Sequence, residues 1–132
     1  ACLYPDMASC FIMLDKANKE NGCLKVLKGS HRVGRISHER SDTPEQTADY
    51  ERIRELEKRH ESVYIEAEPG DALFFHANLL HSSDANKSQN SRRTLIVCFN
   101  TKSNNPYKEI GHASYNQLKV ANHNSIMEYK ID

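Results

Sequence analysis

Short apolar runs separated by polar turns dominate the pattern of this chain. The runs span residues 8–14, 23–27, 62–67, 72–76, 79–82 and 94–99, and each is four to seven residues long. Runs of that length between turn residues are typical of β-strands rather than helices. The first run is almost continuously apolar, so we expect that strand to be buried on both faces. The Asn21-Gly22 pair before the second run favours a hairpin between the first two strands.

A single helix is predicted inside the charged stretch 31–61. Thr43 fits the N-cap, Pro44 the first helical position and Gln46 the capping box. The predicted helix carries a narrow apolar stripe made of Tyr50, Ile53 and Leu56. We interpret the many charges around this stripe as a solvated face.

Six strands and one side helix predict an all-β core arranged as a barrel or a sandwich. The length of 132 residues fits one domain, residues 1–132. Within it, 31–61 is a charged helical insertion. Residues 101–132 are a tail without clean periodicity, expected to be a loop or a short helix.

Charge and composition exclude several classes of function. Lysines plus arginines number 18 and acidic residues 18, so no basic field recruits nucleic acid or an anionic membrane. No apolar run approaches the length of a membrane span. The four cysteines form no CxxC pair, which favours reduced thiols in an intracellular, cytoplasmic setting. Cys10 and Cys98 lie in strand patterns and are expected to be buried.

The candidate chemistry lies between residues 68 and 94. The sequence Glu-Pro-Gly-Asp at 68–71 predicts a turn, with Pro69 setting φ and Gly70 accepting a positive φ. The strands that follow bring His81 and Arg92 to neighbouring positions. An imidazole suits a transition metal such as iron, and a guanidinium suits a carboxylate. Arg93 competes with Arg92 for that role.

This stretch, together with residues 21–31, resembles the phytanoyl-CoA dioxygenase family of iron(II)- and 2-oxoglutarate-dependent oxygenases, and the resemblance covers roughly residues 1–107. In that family the distal metal histidine is followed eleven residues later by the arginine that binds the tail carboxylate of 2-oxoglutarate. His81 and Arg92 have this spacing. The resemblance implies a double-stranded β-helix, or jelly roll, in which the six strands match the third to the eighth of eight core strands. The first two core strands would be missing.

The resemblance also implies roles for individual residues, with iron(II) and 2-oxoglutarate as cofactors. His81 would be a metal ligand and Arg92 would bind 2-oxoglutarate. Three more positions would line the cofactor site: Ser83, Phe11 and Thr94. From the residues alone, Phe11 is equally plausible as a core side chain and Thr94 as an ordinary strand residue. Spacing and the face shared with Thr94 favour Arg92 over Arg93.

One part of the family's motif is absent. The family supplies its first histidine and its carboxylate from a His-x-Asp pair, yet none of the seven histidines here has an acidic residue two positions later. We therefore expect a C-terminal part of the domain, with no catalytic residue to assign and little activity by itself, since metal affinity depends on ligand count. The implied partners are a small organic substrate and dioxygen.

Three functions remain open at the level of the sequence. The first is the C-terminal part of a 2-oxoglutarate oxygenase. The second is a non-catalytic jelly-roll ligand-binding module that lacks the His-x-Asp pair. The third is a metal-dependent cupin isomerase or a sugar-binding cupin. A His-x-Asp pair upstream would favour the first over the second, and succinate release would exclude the third.

Overall fold

Two three-stranded antiparallel sheets form the core of the protein, seen in a computed structural model that describes residues 2–34, 36, 38–39, 47–107 and 116–125. The first sheet has the order β6-β1-β8 and consists of β1 (Met7–Met13), β6 (Ala72–His76) and β8 (Thr94–Asn100). The second has the order β5-β2-β7 and consists of β2 (Leu24–Leu27), β5 (Ser62–Tyr64) and β7 (His81–Ser83). The predicted all-β core of six strands, three facing three as in an incomplete jelly roll, is confirmed.

The remaining elements lie between β2 and β5. A 3₁₀ turn covers Ser30–Arg32, and β3 (His38–Glu39) pairs with β4 (Thr47–Ala48). Helix α1 spans Tyr50–Glu57. In the tail, the described residues 101–107 and 116–124 form turns and irregular chain. Within the described ranges, none of the helical segments has the length and apolar character that a bilayer span requires.

Helix α1 begins later than the sequence pattern predicted. Asp49 is its N-cap, and the Asp49 carboxylate accepts a hydrogen bond from the backbone N–H of Arg52 at 3.2 Å. The predicted capping residues 43–46 lie outside the described residues, but Thr47 and Ala48 are extended. A helix running from Pro44 is therefore wrong. Aspartate caps a helix better than threonine, so Asp49 wins this competition.

The predicted hairpin between β1 and β2 is also wrong, because the two strands belong to different sheets. The turn that joins them is tightly built. Asn18 and Asn21 accept each other's backbone N–H at 2.8 and 2.9 Å, and the N–H of Cys23 donates to the carbonyl of Asn18 at 2.8 Å. Gly22 has φ +77°. The Asn-Gly signal marks the turn correctly, and the turn delivers the chain from one sheet to the other.

Burial along β1 is less complete than its apolar run suggested. Met13, Ala17 and Cys23 form a buried cluster, but within β1 only Cys10 and Met13 are buried and the other five residues are partly exposed. Leu14, predicted to end this strand, lies beyond β1 and is 52% exposed. Of the two strand cysteines, Cys10 is buried but Cys98 is exposed. Among the described residues β8 pairs only with β1, which leaves Cys98 near an open edge. All four cysteines are free thiols.

Gly22 provides a test of how tightly the turn is packed. A Cβ at Gly22 would lie 2.4 Å from the carbonyl oxygen of Asp84, whereas a Cβ at Gly70 (φ +94°) would meet nothing within 4 Å. Gly70→Ala should therefore lower the unfolding free energy by only about 1 kcal/mol, because alanine is strained in the left-handed backbone conformation. Gly22→Ala should cost about 3 kcal/mol or more, because the backbone at Asp84 must also move. Urea unfolding followed by circular dichroism measures both, and equal losses would contradict the close approach.

Candidate functional site

His81 points into the space between the two sheets. In the pairing of β2 with β7, His81 lies opposite Val26 and Ser83 lies opposite Leu24, so His81 and Ser83 share one face. The His81 ring is 5.1 Å from the ring of Phe75 and 6.4 Å from that of Phe11, both on the other sheet. The imidazole is therefore presented on the inner side of the second sheet.

Hydrogen bonding fixes which nitrogen of His81 is available. Its Nδ1 lies 2.8 Å from the carbonyl oxygen of Leu79. A carbonyl oxygen can only accept, so Nδ1 carries the hydrogen and Nε2 keeps its lone pair. This is the arrangement in which a protein orients a metal-binding histidine.

His76 has the opposite arrangement. Its Nδ1 accepts a hydrogen bond from the backbone N–H of Asn78 at 3.1 Å, and its ring lies 5.8 Å from that of His31. The neutral ring of His76 therefore carries its hydrogen on Nε2. Nδ1 of His76 is occupied by this local contact.

A buried serine anchors the backbone just before His81. Ser30 is fully buried, and its hydroxyl accepts a hydrogen bond from the N–H of Leu80 at 2.9 Å. The carbonyl of Leu80 in turn accepts from the N–H of Leu27 at 2.9 Å. Ser30 is a residue that sequence reasoning missed. The only signal was a small hydroxyl residue between Gly29 and His31 at a strand end.

Arg92 is half-buried and holds an unsatisfied donor. Its Nε is buried and has no hydrogen-bond partner among the described residues. Burial raises the pKa of the Cys23 thiol, with Glu66 adding to the rise, while the positive charges of Arg92 and Lys19 act against it. The Arg92 charge is thus felt at the buried core. An unpaired buried guanidinium N–H is costly unless an acceptor arrives, and a carboxylate is the acceptor it fits best.

Arg93 is used differently from its neighbour. Its Nε and Nη2 donate to the Asp15 carboxylate at 3.0 and 2.9 Å, and its side chain is 72% exposed. The backbone N–H groups of Leu14 and Asp15 both donate to the carbonyl of Arg93, at 3.0 and 3.3 Å. Two residues opposite one is the pattern of a β-bulge, which brings Asp15 to the side of Arg93. Among the described residues, it is therefore Arg92 of the pair whose Nε has no hydrogen-bond partner.

The register of the first sheet places the other predicted site residues. Phe11 lies opposite Ile96, and Thr94 lies opposite Met13, so Phe11 and Thr94 share a face. Phe11 and Thr94 are half-buried, and Ser83 is exposed. The structure thus brings His81 and Phe11 together. The rings of Phe11 and Phe75 are 5.0 Å apart, and Phe75 is a residue that sequence reasoning missed, although strand alternation with Leu73 marks its face.

A cavity of about 940 Å³ borders the site on the side of His81. Its wall includes Tyr4, Tyr50, Ile53 and Leu79, so aromatic and aliphatic side chains face it. A cavity of that size accommodates a small organic molecule. Arg92 is not part of its wall. The cavity therefore approaches the site from the imidazole and not from the guanidinium.

The described residues provide at most a part of a metal site. Within the part of the chain that the structure describes, no three His, Cys, Asp or Glu side chains lie close enough to hold one ion together. His81 is the imidazole whose free nitrogen fits a metal and whose ring lies between the sheets. Arg92 is the guanidinium that fits a carboxylate.

Comparison with known proteins finds relatives in sequence and in structure. The family model described as "Phytanoyl-CoA dioxygenase (PhyH)" matches residues 3–94. A "Probable phytanoyl-CoA dioxygenase" of Caenorhabditis elegans is 32% identical over 84 residues, which are 62% of this chain and 27% of that protein. The "Phytanoyl-CoA dioxygenase, peroxisomal" of Bos taurus is 32% identical over 90 residues, which are 65% of this chain and 26% of that protein.

Among solved structures, EctD from S. alaskensis with bound Fe superposes with a TM-score of 0.65 at 28% identity, over 77% of this chain and 34% of EctD. EctD with 2-oxoglutarate and 5-hydroxyectoine gives a TM-score of 0.63, also at 28% identity, over 75% and 32% of the two chains. The chain thus spans about a quarter to a third of the length of these relatives.

Ser30 offers a test of the anchor below His81. Ser30→Ala should lower the unfolding free energy by about 1–3 kcal/mol, because the N–H of Leu80 loses its acceptor. It should also shift the NMR signals of the His81 ring, since Leu79 and Leu80 hold that ring in place. The matched control is Ser103→Ala at an exposed serine, which should change neither quantity. An unmoved His81 signal in Ser30→Ala would show that the anchor does not support the imidazole.

Asp15 should make the stability depend on pH in a defined direction. Hydrogen bonds from Arg93 and Ser91 hold the pKa of Asp15 well below its usual value of 3.8. Because the folded pKa is lowered, the stabilisation is complete above the ordinary pKa and is lost as the pH falls through the folded one. Asp15→Asn should therefore be less stable than the parent chain at about pH 7, and the difference should shrink at about pH 3. Urea unfolding at both pH values measures this, and a constant difference would contradict it.

Proposed function

This chain belongs to the phytanoyl-CoA dioxygenase family, and on that premise we propose that it is the C-terminal part of an iron(II)/2-oxoglutarate-dependent dioxygenase. The proposed reaction hydroxylates a small organic substrate and releases succinate and CO₂. The observation that carries the proposal is the buried Nε–H of Arg92, which has no partner among the described residues. The expectation of iron(II) and 2-oxoglutarate as cofactors is confirmed for the family, since the EctD structures hold each of them.

The residues present fit these cofactors at two points. Nε2 of His81 has a free lone pair for iron, and the Arg92 guanidinium has a free donor for the tail carboxylate of 2-oxoglutarate. Ser83 lies on the His81 face and Thr94 lies on the Phe11 face, so both would add hydroxyls near the cosubstrate. Phe11 would line the same space beside His81. When bound, iron, 2-oxoglutarate and dioxygen supply the oxidising chemistry.

The further metal ligands are proposed to lie elsewhere in the natural polypeptide. What supports this is that the chain spans about a quarter to a third of the length of its relatives. By itself, the single domain formed by residues 1–132 should turn over little, because one imidazole provides only a fraction of a chelating site.

The proposed substrate is a small organic molecule that reaches the iron from the cavity beside His81. The mixed aromatic and aliphatic wall supports an organic substrate. We also propose an intracellular, cytoplasmic setting. The four free thiols support it, since oxidising compartments favour disulfides.

Substitution of Arg92 tests the cosubstrate role. Arg92→Gln should raise the dissociation constant for 2-oxoglutarate at least about tenfold, because it removes the charged donor of a carboxylate contact. The unfolding free energy should change by less than about 1 kcal/mol, since the guanidinium gives up no hydrogen bond at Nε. NMR titration with 2-oxoglutarate and urea unfolding measure the two. The matched control is Arg59→Gln, at an exposed arginine beyond α1, which should leave both unchanged.

An assay on the natural polypeptide that contains this sequence distinguishes an enzyme from a non-catalytic binding module. Iron-dependent release of succinate from 2-oxoglutarate would establish the oxygenase. Binding of 2-oxoglutarate without succinate release would favour the non-catalytic jelly-roll module. An affinity unaffected by Arg92→Gln would show that the carboxylate role belongs to another residue.

A further inference from the structure

Two consecutive arginines, Arg92 and Arg93, immediately precede β8, and their side chains have opposite environments. Arg93 is exposed and paired, whereas Arg92 is half-buried and its Nε has no partner in the described part of the chain. Strand alternation puts consecutive side chains on opposite sides, and the register that places Thr94 on the Phe11 face favours Arg92 as the inward one. Both arginines precede β8, however, so a contact on one side of the chain is needed to hold that choice.

Asp15 makes that contact. Its Oδ2 accepts hydrogen bonds from the hydroxyl of Ser91 at 2.8 Å, the backbone N–H of Arg93 at 2.8 Å and the Nε of Arg93 at 3.0 Å. Its Oδ1 accepts from Nη2 of Arg93 at 2.9 Å. One carboxylate therefore holds the residue before Arg92 and the residue after it. We call this set of contacts, made by Asp15, Ser91 and Arg93, the carboxylate clamp.

Besides the carboxylate clamp, the loop before β8 is attached to the sheets at its start, where the hydroxyl of Tyr64 in β5 donates to the Asp84 carboxylate at 2.8 Å. Its side-chain hydrogen bonds among Asn86, Ser88 and Asn90 are internal. The N–H of Lys87 donates to the carbonyl of Glu20 at 2.9 Å, which ties the middle of the loop to the turn between β1 and β2. The end of the loop, where Arg92 stands, is held by the carboxylate clamp.

We propose that Asp15 is a positioning residue for cosubstrate binding: by holding Ser91 and Arg93 it directs the Arg92 guanidinium inward, to where it would meet a carboxylate. This inference rests on the proposed function. The clamp also neutralises Arg93, so that the neighbouring guanidinium does not compete for the anionic cosubstrate. A bidentate pair of this kind is geometrically specific, which suits an orienting role.

The inference predicts two effects of breaking the clamp. Asp15→Asn keeps the shape of the side chain but removes its charge and two of its acceptor sites. Its dissociation constant for 2-oxoglutarate should rise about tenfold, the usual scale for a supporting contact around a binding group. Ser91→Ala removes one of the four hydrogen bonds, a neutral one, and should raise the dissociation constant about twofold. The matched control is Asp49→Asn, which removes the same charge at the N-cap of α1, where asparagine caps equally well.

The NMR signal of the Arg92 Nε–H provides a readout that mere destabilisation would not move. It is recorded for folded protein, first without ligand and then during titration with 2-oxoglutarate. In the parent chain we expect the chemical shift of the Arg92 Nε–H to differ from those of the exposed arginines. In Asp15→Asn we expect this chemical shift to move towards the values of the exposed arginines, whereas Asp49→Asn should leave it unchanged.

The outcomes distinguish the inference from the proposed function. An Arg92 signal and an affinity that are both unchanged in folded Asp15→Asn, despite lower stability, would overturn the positioning role and leave a structural one. If the parent signal does not respond to 2-oxoglutarate, the proposed function fails. The ligand-free shift in Asp15→Asn then still decides whether Asp15 orients Arg92.

Discussion

The pairing of β1 with two neighbours at once is the constraint on which the site depends. β1 runs antiparallel to both β6 and β8, so one register fixes three strands. With side chains alternating between faces, that register puts Phe11 opposite Leu73 and Ile96 and sends all three to one side. A slip by one residue would exchange the two faces and remove Phe11 from the imidazole.

Individual hydrogen bonds then determine which side-chain atoms of the positioned residues stay available for a ligand. His81 and His76 differ in the nitrogen they leave free, because Nδ1 of His81 donates to a carbonyl and Nδ1 of His76 accepts from an N–H. Two adjacent arginines differ because Asp15 binds only one of them. In each pair the hydrogen-bond partners, backbone groups for the histidines and the Asp15 carboxylate for the arginines, decide which nitrogen is left available. The atoms available for a ligand are therefore Nε2 of His81 and Nε of Arg92, which have no hydrogen-bond partner among the described residues.

Much of the fold was predictable because it depends on local alternation. The strand at 72–76 was predicted to the residue, and the turn before it has the expected positive φ at Gly70. The errors arise where distant partners compete. The Asn-Gly turn after β1 looked like a hairpin, but β1 pairs with β6 and β8, strands that follow it by some sixty to ninety positions in the sequence. The helix start was misplaced because Asp49 outcompetes Thr43 as a cap.

The site was predictable only in part for the same reason. His81 and Arg92 were singled out by their eleven-residue spacing within a family motif, a signal that lies along the chain. Asp15 meets Arg93 across 78 positions and Ser30 meets Leu80 across 50, and neither pairing leaves a trace in local sequence. The exposure of Cys98 could not be foreseen either, because its strand pattern does not tell whether a neighbour covers it.

The near-contact between Gly22 and the backbone of Asp84 has a consequence for how this fold can vary. Since the turn after β1 and the loop after β7 touch there, and the N–H of Lys87 also reaches Glu20, neither segment has room to change length alone. In related proteins, additions or deletions should accumulate in the charged stretch between β2 and β5 and be rare in these two loops. Sequence variation within the fold should therefore concentrate in the segment that lines the cavity and spare the surroundings of Arg92.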